Sequence, residues 1–479
     1  MMMSRAKIYM AKGRTKRLEQ GHPWIYDNEI ERMEGEAEPG DLVDVLQSNG
    51  RYMATGYWNP HSTIRVRVIS RRPIADMDEP FFRERFERCL SHRRRFVRDR
   101  DCRLVYGEAD FLPGLIVDRF ADVLVVQLLT LGMDRRRETI VQALVRVFAP
   151  KGIYERSDVA VRKLEGLEER KGPLYGECPR TVVIRENGLA MEVDIEGGQK
   201  TGYFYDQREN RAAIAPLMTG WGARSGIRLE RRPYAELPEG AAVWKGAVGD
   251  GSEEAGERAD DGLALVPVNA NGKVVTFPYW DGATVLECFA HTGSFAMHAC
   301  KYGAKKVTCL DVSEHAIETA RRNAERNGFT DRIEFVVADA FDYLRSQVKG
   351  LEERARRAQG GVDTSKPLGA AGRTWDVVIL DPPAFAKTKG ALSGACRGYK
   401  DINLNGMKLV NEGGYLVTAS CSYHMSEERF LGTIQEAAAD AGKVLRLIEW
   451  RSAGKDHPRL LGVPEGHYLK FAIFEVRSR

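Results

Sequence analysis

The chain has 479 residues, 43% of them hydrophobic and 29% charged, with a formal net charge of +4 at pH 7. That balance excludes a disordered or collagen-like chain, and it is too near neutral to diagnose a polyanionic partner. No run of roughly 18 apolar residues is present, so no membrane-spanning helix and no membrane partner is expected. Met1-Met2-Met3-Ser4-Arg5-Ala6-Lys7 lacks an apolar export segment, and the 8 cysteines contain no CxxC pair. These features argue against a disulfide scaffold or structural zinc and predict a cytosolic location.

The length suggests about three domains. Residues 1–74 carry short strands, Leu42–Leu46 and Thr63–Ile69, around the turn Pro39-Gly40-Asp41, a small β-barrel pattern. Pro80 opens a helix running through Arg83, Arg85, Arg88, Arg93, Arg94, Arg95, Arg98, Arg100 and Arg103. That cluster is either a phosphate-binding patch or a solvated face balanced by Glu84, Glu87, Asp99 and Asp101. Strands at Arg103–Tyr106 and Gly114–Asp118, the apolar run 122–131 and a helix at 135–148 predict an α+β module over 75–187.

From 188 to 479 the pattern becomes β-α-β-α-β, with strands Thr284–Glu287, Lys306–Asp311 and Ile333–Val337 and a helix over Glu314–Asn327. It predicts an α/β, Rossmann-like doubly wound sheet. Two insertions interrupt it: 220–278, with a strand-like Leu263–Val268, and 346–374, a charged helix and flexible loop without apolar period.

Motifs fall at predicted strand ends, where open α/β sheets bind ligands. The segment Glu287-Cys288-Phe289-Ala290-His291-Thr292-Gly293-Ser294 follows the first strand. Its small residues allow a ligand to approach a helix N-terminus, and the absence of GxGxxG disfavours a dinucleotide. Asp311, followed by Val312 and Ser313, can accept both hydroxyls of a ribose. Asp339, followed by Ala340, can accept from an adenine amino group. Taken singly, each acid is as well explained as a helix cap. Asp381-Pro382-Pro383-Ala384-Phe385 follows the strand Trp375–Leu380, and Ser420-Cys421-Ser422 follows Gly414–Ala419. A thiol placed there is a candidate nucleophile. Cys288, Cys300 and Cys309 sit in core-like patterns, and Cys396 in an expected loop.

These residues, with the helix Ala316–Gly328, resemble the class I S-adenosylmethionine (SAM)-dependent methyltransferases. The resemblance implies SAM as cofactor, lined by Glu287, Phe289, Thr292, Gly293, Asp311, Val312, Ser313, Asp339 and Ala340. Upstream, Gly198-Gln199-Lys200-Thr201-Gly202-Tyr203-Phe204-Tyr205-Asp206-Gln207-Arg208 is similar to an additional motif of one RNA-modifying branch. By that resemblance Gln199, Thr201, Tyr203 and Asp206 face the cofactor or target base, with Arg208 a candidate substrate contact; from the residues alone the aromatics can equally be core and Arg208 and Arg211 a helix face.

Cys421 has a purpose in such an enzyme. Pyrimidine C5 is a poor nucleophile until a thiolate adds at C6 and turns the ring into an enamine. Asp381 then fits the N3 edge of the base, with Pro382, Pro383 and Phe385 as an apolar surface. Amino-group methylation of guanine or adenine, which needs no thiol, is the competing reading. A non-catalytic RNA-binding protein on a methyltransferase scaffold is a third.

The whole chain resembles the bacterial 23S ribosomal RNA cytosine-C5 methyltransferases with an N-terminal PUA domain. His22-Pro23-Trp24-Ile25-Tyr26 and Gly56-Tyr57-Trp58-Asn59-Pro60 match the PUA part, and Gly107–Asp118 matches the central module. The implied partner is 23S ribosomal RNA or a large-subunit assembly intermediate. Ala384 stands where many relatives carry a second cysteine, so the base that removes the C5 proton is unassigned.

Overall fold

The computed structural model describes residues 5–221, 228–238, 241, 262–274, 282–359, 372–386 and 388–479. The chain divides into two compact units, residues 1–208 with 453–467 and residues 209–452 with 468–479. The expected boundary at 187/188 does not coincide with this division.

The first unit opens with six strands: β1 (Lys7–Met10), β2 (Trp24–Tyr26), β3 (Ile30–Glu34), β4 (Leu42–Leu46), β5 (Tyr52–Trp58) and β6 (Ile64–Ser70), with one helical turn, α1 (Lys16–Glu19). Their order is β2-β6-β5-β4-β1-β3. The edge strands β2 and β3 are joined only by Asp27–Glu29. Such a link spans at most roughly 14 Å, whereas six flat strands would extend about 24 Å. The sheet must therefore roll up. Ile8, Ile25, Val43, Val45, Ala54 and Val66 fill its core.

Helix α2 (Glu79–Phe96) begins where Asp78 accepts a hydrogen bond from the Phe81 amide, with Pro80 in the first turn. It packs with α4 (Arg137–Phe148) on a five-stranded sheet. That sheet comprises β7 (Arg103–Tyr106), β8 (Leu115–Phe120), β9 (Val123–Leu128), β10 (Gly152–Ser157) and β11 (Arg170–Gly176). A single turn, α3 (Leu131–Asp134), precedes α4, and a hairpin, β12 (Thr181–Glu186) and β13 (Leu189–Asp194), follows. Tyr57 joins roll to sheet: its hydroxyl lies 2.9 Å from both the Pro113 carbonyl and Thr130 Oγ1.

The helix α5 (Arg208–Ala213) begins at the division between the units. In the second unit, β14 (Arg228–Pro233) and β15 (Leu263–Val268) form an antiparallel pair within the first expected insertion. The main sheet has seven strands in the order β18-β17-β16-β19-β20-β22-β21. They are β16 (Thr284–Cys288), β17 (Lys306–Asp311), β18 (Ile333–Val337), β19 (Trp375–Leu380), β20 (Val410–Ser420), β21 (Lys443–Arg451) and β22 (Lys470–Ser478). The first five are parallel, while β22 runs antiparallel to both β20 and β21.

Helices α6 (Ser294–Lys301), α7 (Glu314–Asn327), α8 (Ala340–Ala358), α9 (Leu392–Lys408) and α10 (Glu427–Asp440) connect the strands. Helix α8 runs into the second expected insertion, and Leu344, just before it, forms an apolar stripe on the core with Val348 and Leu351 inside it, a period not expected there. The loop expected within 346–374 lies largely outside the described residues. Strand order reverses between β16 and β19, the position where such sheets bind ligands.

Candidate active site

The loop after β16 turns sharply into α6. Phe289, His291 and Gly293 have φ of 63°, 50° and 74°. Two non-glycine residues in this region mark a held, strained turn. Gly293 is required twice over, because a Cβ there would meet Ala320 Cβ at 2.9 Å. Glu287 holds the turn from beneath: its two carboxylate oxygens accept from the Phe295 and Ala296 amides at 3.1 and 2.9 Å. Burial pushes this carboxyl up to about 8, against the pull of the two amides. The Thr292 hydroxyl is buried with no hydrogen-bond partner among the described residues.

Asp311 ends β17. One carboxylate oxygen accepts from the His291 amide at 2.8 Å and the other from the Ser313 amide at 2.9 Å. Each keeps a lone pair for a further donor, which suits a vicinal diol. Ser313 caps α7, its Oγ accepting from the Ala316 amide. Asp339 caps α8 by accepting from the Asp342 amide at 3.1 Å and is exposed. The side chains of Val312 and Val337, at the ends of β17 and β18, are exposed, an unusual position for apolar groups. The Ala340 methyl is buried in the core, leaving only its backbone to face a ligand.

The ends of β19 and β20 are neighbours, since Leu380 pairs with Thr418. Cys421 is half-buried, and its thiol lies 3.7 Å from the Pro382 carbonyl oxygen. Pro382 itself is buried; Pro383 is the exposed member of the pair, which corrects the expectation that both rings offer a surface.

The flanking serines fix the two loops together. Ser420 Oγ donates to the Tyr399 hydroxyl at 2.9 Å, which lies 3.1 Å from Ser422 Oγ. Ser422 Oγ in turn accepts from the Ala386 amide at 3.1 Å. Tyr399, on α9, was not singled out in the sequence. Burial pushes its hydroxyl up to about 12, so it stays neutral. Phe385 packs on it at 4.7 Å between ring centroids, with Phe341 and Phe289 beyond.

Cys288, Cys300 and Cys309 are buried and their thiols pushed up by burial. Cys396 lies in α9 rather than in a loop.

The upstream motif belongs to the first unit. Thr201 is buried and donates to Asp118 at 2.6 Å, while Tyr203 is buried and donates to Glu186 at 3.1 Å. Asp206 is buried and Gln199 exposed. Arg208 is also buried, in ion pairs with Asp456, Asp99 and Glu186 at 3.2, 3.4 and 3.6 Å. It is a structural cation here, not the substrate contact expected.

Comparison with known proteins agrees with this architecture. A PUA-like domain model matches residues 8–71, and a methyltransferase domain model matches 280–455. Ribosomal RNA large subunit methyltransferase I of Pseudoalteromonas translucida is 37% identical over 474 residues, 98% of this chain and 99% of its own. The protein of that name from Vibrio cholerae is 38% identical over 473 residues, 97% of each. The chain belongs to the ribosomal RNA large subunit methyltransferase I family. Among solved structures, a Streptococcus mutans chain described as a SAM-dependent methyltransferase superposes with a TM-score of 0.67 at 18% identity, over 98% of this chain and 99% of its own. A methyltransferase complexed with SAH gives 0.68 at 19% identity, over the same shares of each chain. Both share the fold.

Proposed function

We propose that this chain methylates C5 of a cytosine in large-subunit ribosomal RNA, with Cys421 as covalent nucleophile. Family membership carries the coarser part: a SAM-dependent methyltransferase acting on ribosomal RNA of the large subunit. The observation that carries the finer part is the half-exposed thiol at the end of β20, pinned against the Pro382 carbonyl beside Asp381.

The loop residues fit SAM. Asp311 has lone pairs for ribose hydroxyls, Thr292 has a buried hydroxyl to offer, and Val312 and Val337 leave apolar surface for a base. SAM supplies an electrophilic methyl group when bound. The protein's part is to activate and orient. Cys421 adds to C6 of the ring, raising electron density at C5. Asp381 hydrogen-bonds the N3 edge, and Pro383 and Phe385 give the base an apolar seat. Loss of the C5 proton and elimination of the thiolate release the product. The rolled sheet over 1–74 and the module over 75–187 hold structured RNA, and such a substrate places the enzyme in the cytosol.

RNA carrying 5-fluorocytosine tests the reading, because fluorine cannot leave C5 as a proton and the adduct persists. Trapped enzyme with the adduct mapped to Cys421 is expected. Methylated guanine or adenine in digested RNA, with no trapping, would establish amino-group chemistry instead. No SAM binding at all would make this a non-catalytic scaffold.

A further inference from the structure

Lys470 has no place in the mechanism so far, yet it is among the largest fully buried side chains of the protein. It stands on β22 directly across the ladder from Ser420, one residue before the nucleophile. Its ammonium nitrogen donates to the Ser422 and Tyr468 carbonyls, each at 2.7 Å. No acidic oxygen lies within ion-pair distance of it among the described residues. Of the titratable groups around it, Cys421 acts on it most strongly, followed by Glu427 at the start of α10. Tyr399 also faces Cys421, but as a neutral hydroxyl.

A lysine buried without a carboxylate is costly unless its charge is used. Two carbonyls take two of its N–H bonds. The third position on nitrogen is a lone pair when the amine is neutral and an N–H when it is charged.

We propose that Lys470 is the activating partner of Cys421: it takes the thiol proton and then holds the thiolate as its counter-cation. The S–H bond breaks, an N–H bond forms on Nζ, and a neutral pair becomes an ammonium–thiolate pair with no net change of charge. Burial draws the lysine down to about 8, close to the ordinary value of a free thiol, about 8.5. The Ser422 carbonyl ties Nζ to the residue following the nucleophile, and the Tyr468 carbonyl holds it from its own side of the ladder.

This inference rests on the covalent role of Cys421, but its test reads the thiol itself. The full chain is alkylated with iodoacetamide across pH, and the rate at the Cys421 peptide is followed by mass spectrometry. In the wild type the midpoint should fall below the ordinary thiol value of about 8.5. Lys470→Met should raise the midpoint by a unit or more and slow alkylation at pH 7 at least tenfold. Lys470→Arg, which keeps the charge, should hold the midpoint low.

An unchanged midpoint in a folded Lys470→Met chain overturns the proposal. Should that variant not fold, the thiolate absorbance of wild type minus Cys421→Ser decides, and a midpoint at or above about 8.5 overturns it equally. Trapping by 5-fluorocytosine RNA with an unshifted thiol would sink Lys470 and leave C5 chemistry standing. A lowered thiol without any adduct would do the reverse.

Discussion

At the scale of single residues the site separates chemistry from support. Cys421→Ala should keep SAM binding, measured by calorimetry, and lose methyl transfer to ribosomal RNA. Cys288→Ala should instead cost about 1 kcal/mol of stability, the usual size for a small core change, with transfer retained. Tyr399→Phe is more informative than either, because it leaves two buried serine hydroxyls short of a partner. A penalty of about 1–3 kcal/mol is expected, read as a lower urea midpoint, with turnover falling more than the Michaelis constant for SAM rises. Unchanged turnover would mean that the Ser420–Tyr399–Ser422 chain merely fills space. Asp311→Ala removes the acceptor for two backbone amides as well as the candidate ribose ligand. Affinity for SAM should drop by about 1.5–3 kcal/mol, the worth of a charge-assisted hydrogen bond; undiminished affinity would remove Asp311 from the site.

At the scale of elements, legibility followed how local the signal was. Trp375–Leu380 is apolar apart from Asp376, and the strand occupies those same residues. Helix α9, where Cys396 lies, carries Gly394, Gly398 and Gly406, poor helix formers that weaken its local signal. Two of these glycines are dictated by packing. A Cβ at Gly398 would press on the Phe385 ring at 3.3 Å, and one at Gly406 on Leu380 at 3.0 Å. Both contacts are remote in sequence, so no local pattern reveals them. Tyr399, on the same helix, was missed for the same reason. The arginine cluster of α2 and its flank resolves into two populations that charge counting merges. Arg93 pairs with Asp110 and Arg103 with Asp118 inside the protein. Arg94, Arg95 and Arg98 are exposed with no acidic partner among the described residues, beside an exposed Phe96. This arrangement suits a phosphate backbone and an unstacked base. Replacing all three with Ala should weaken binding of a large-subunit RNA fragment and flatten its log–log salt dependence by about 2. An unchanged slope would make them a solvated face.

At the scale of the whole molecule, the chain does not run from one unit to the next once and stop. Residues 453–467 leave the second unit between β21 and β22 and complete the first. Asp456 anchors this excursion. Its carboxylate accepts from the Arg103 amide at 3.1 Å and Arg208 at 3.2 Å, and lies 2.8 Å from His457 Nδ1; its carbonyl accepts from Arg93 at 3.1 Å. Hence a fragment starting near 186 would strand Asp456 and Arg208 without Arg93, Arg103 and Asp99, and tests on SAM binding belong with the full chain. Burial raises the Asp456 carboxyl, but the charges of His457 and Arg208 outweigh it and hold the group well below the usual carboxylate range. A depressed folded value has a definite sign. The stabilisation is fully present above the unfolded carboxylate value, about 3.9, and is lost as pH falls below it, when the unfolded chain binds the proton first. Asp456→Asn keeps the shape and removes the charge. At neutral pH it should destabilise the first unit by about 3–5 kcal/mol, the cost of breaking a buried ion pair from one side. Hydrogen exchange of peptides over β7, β8 and β9 measures that loss. The gap between variant and wild type should narrow as pH drops below about 4, because the unfolded wild-type chain then gains a proton at position 456 that the native state does not, whereas the Asn variant has no such proton to gain. A gap that stays constant down to pH 3 would show that Asp456 acts through its hydrogen bonds alone, leaving its charge without a part in joining 453–467 to the unit it completes.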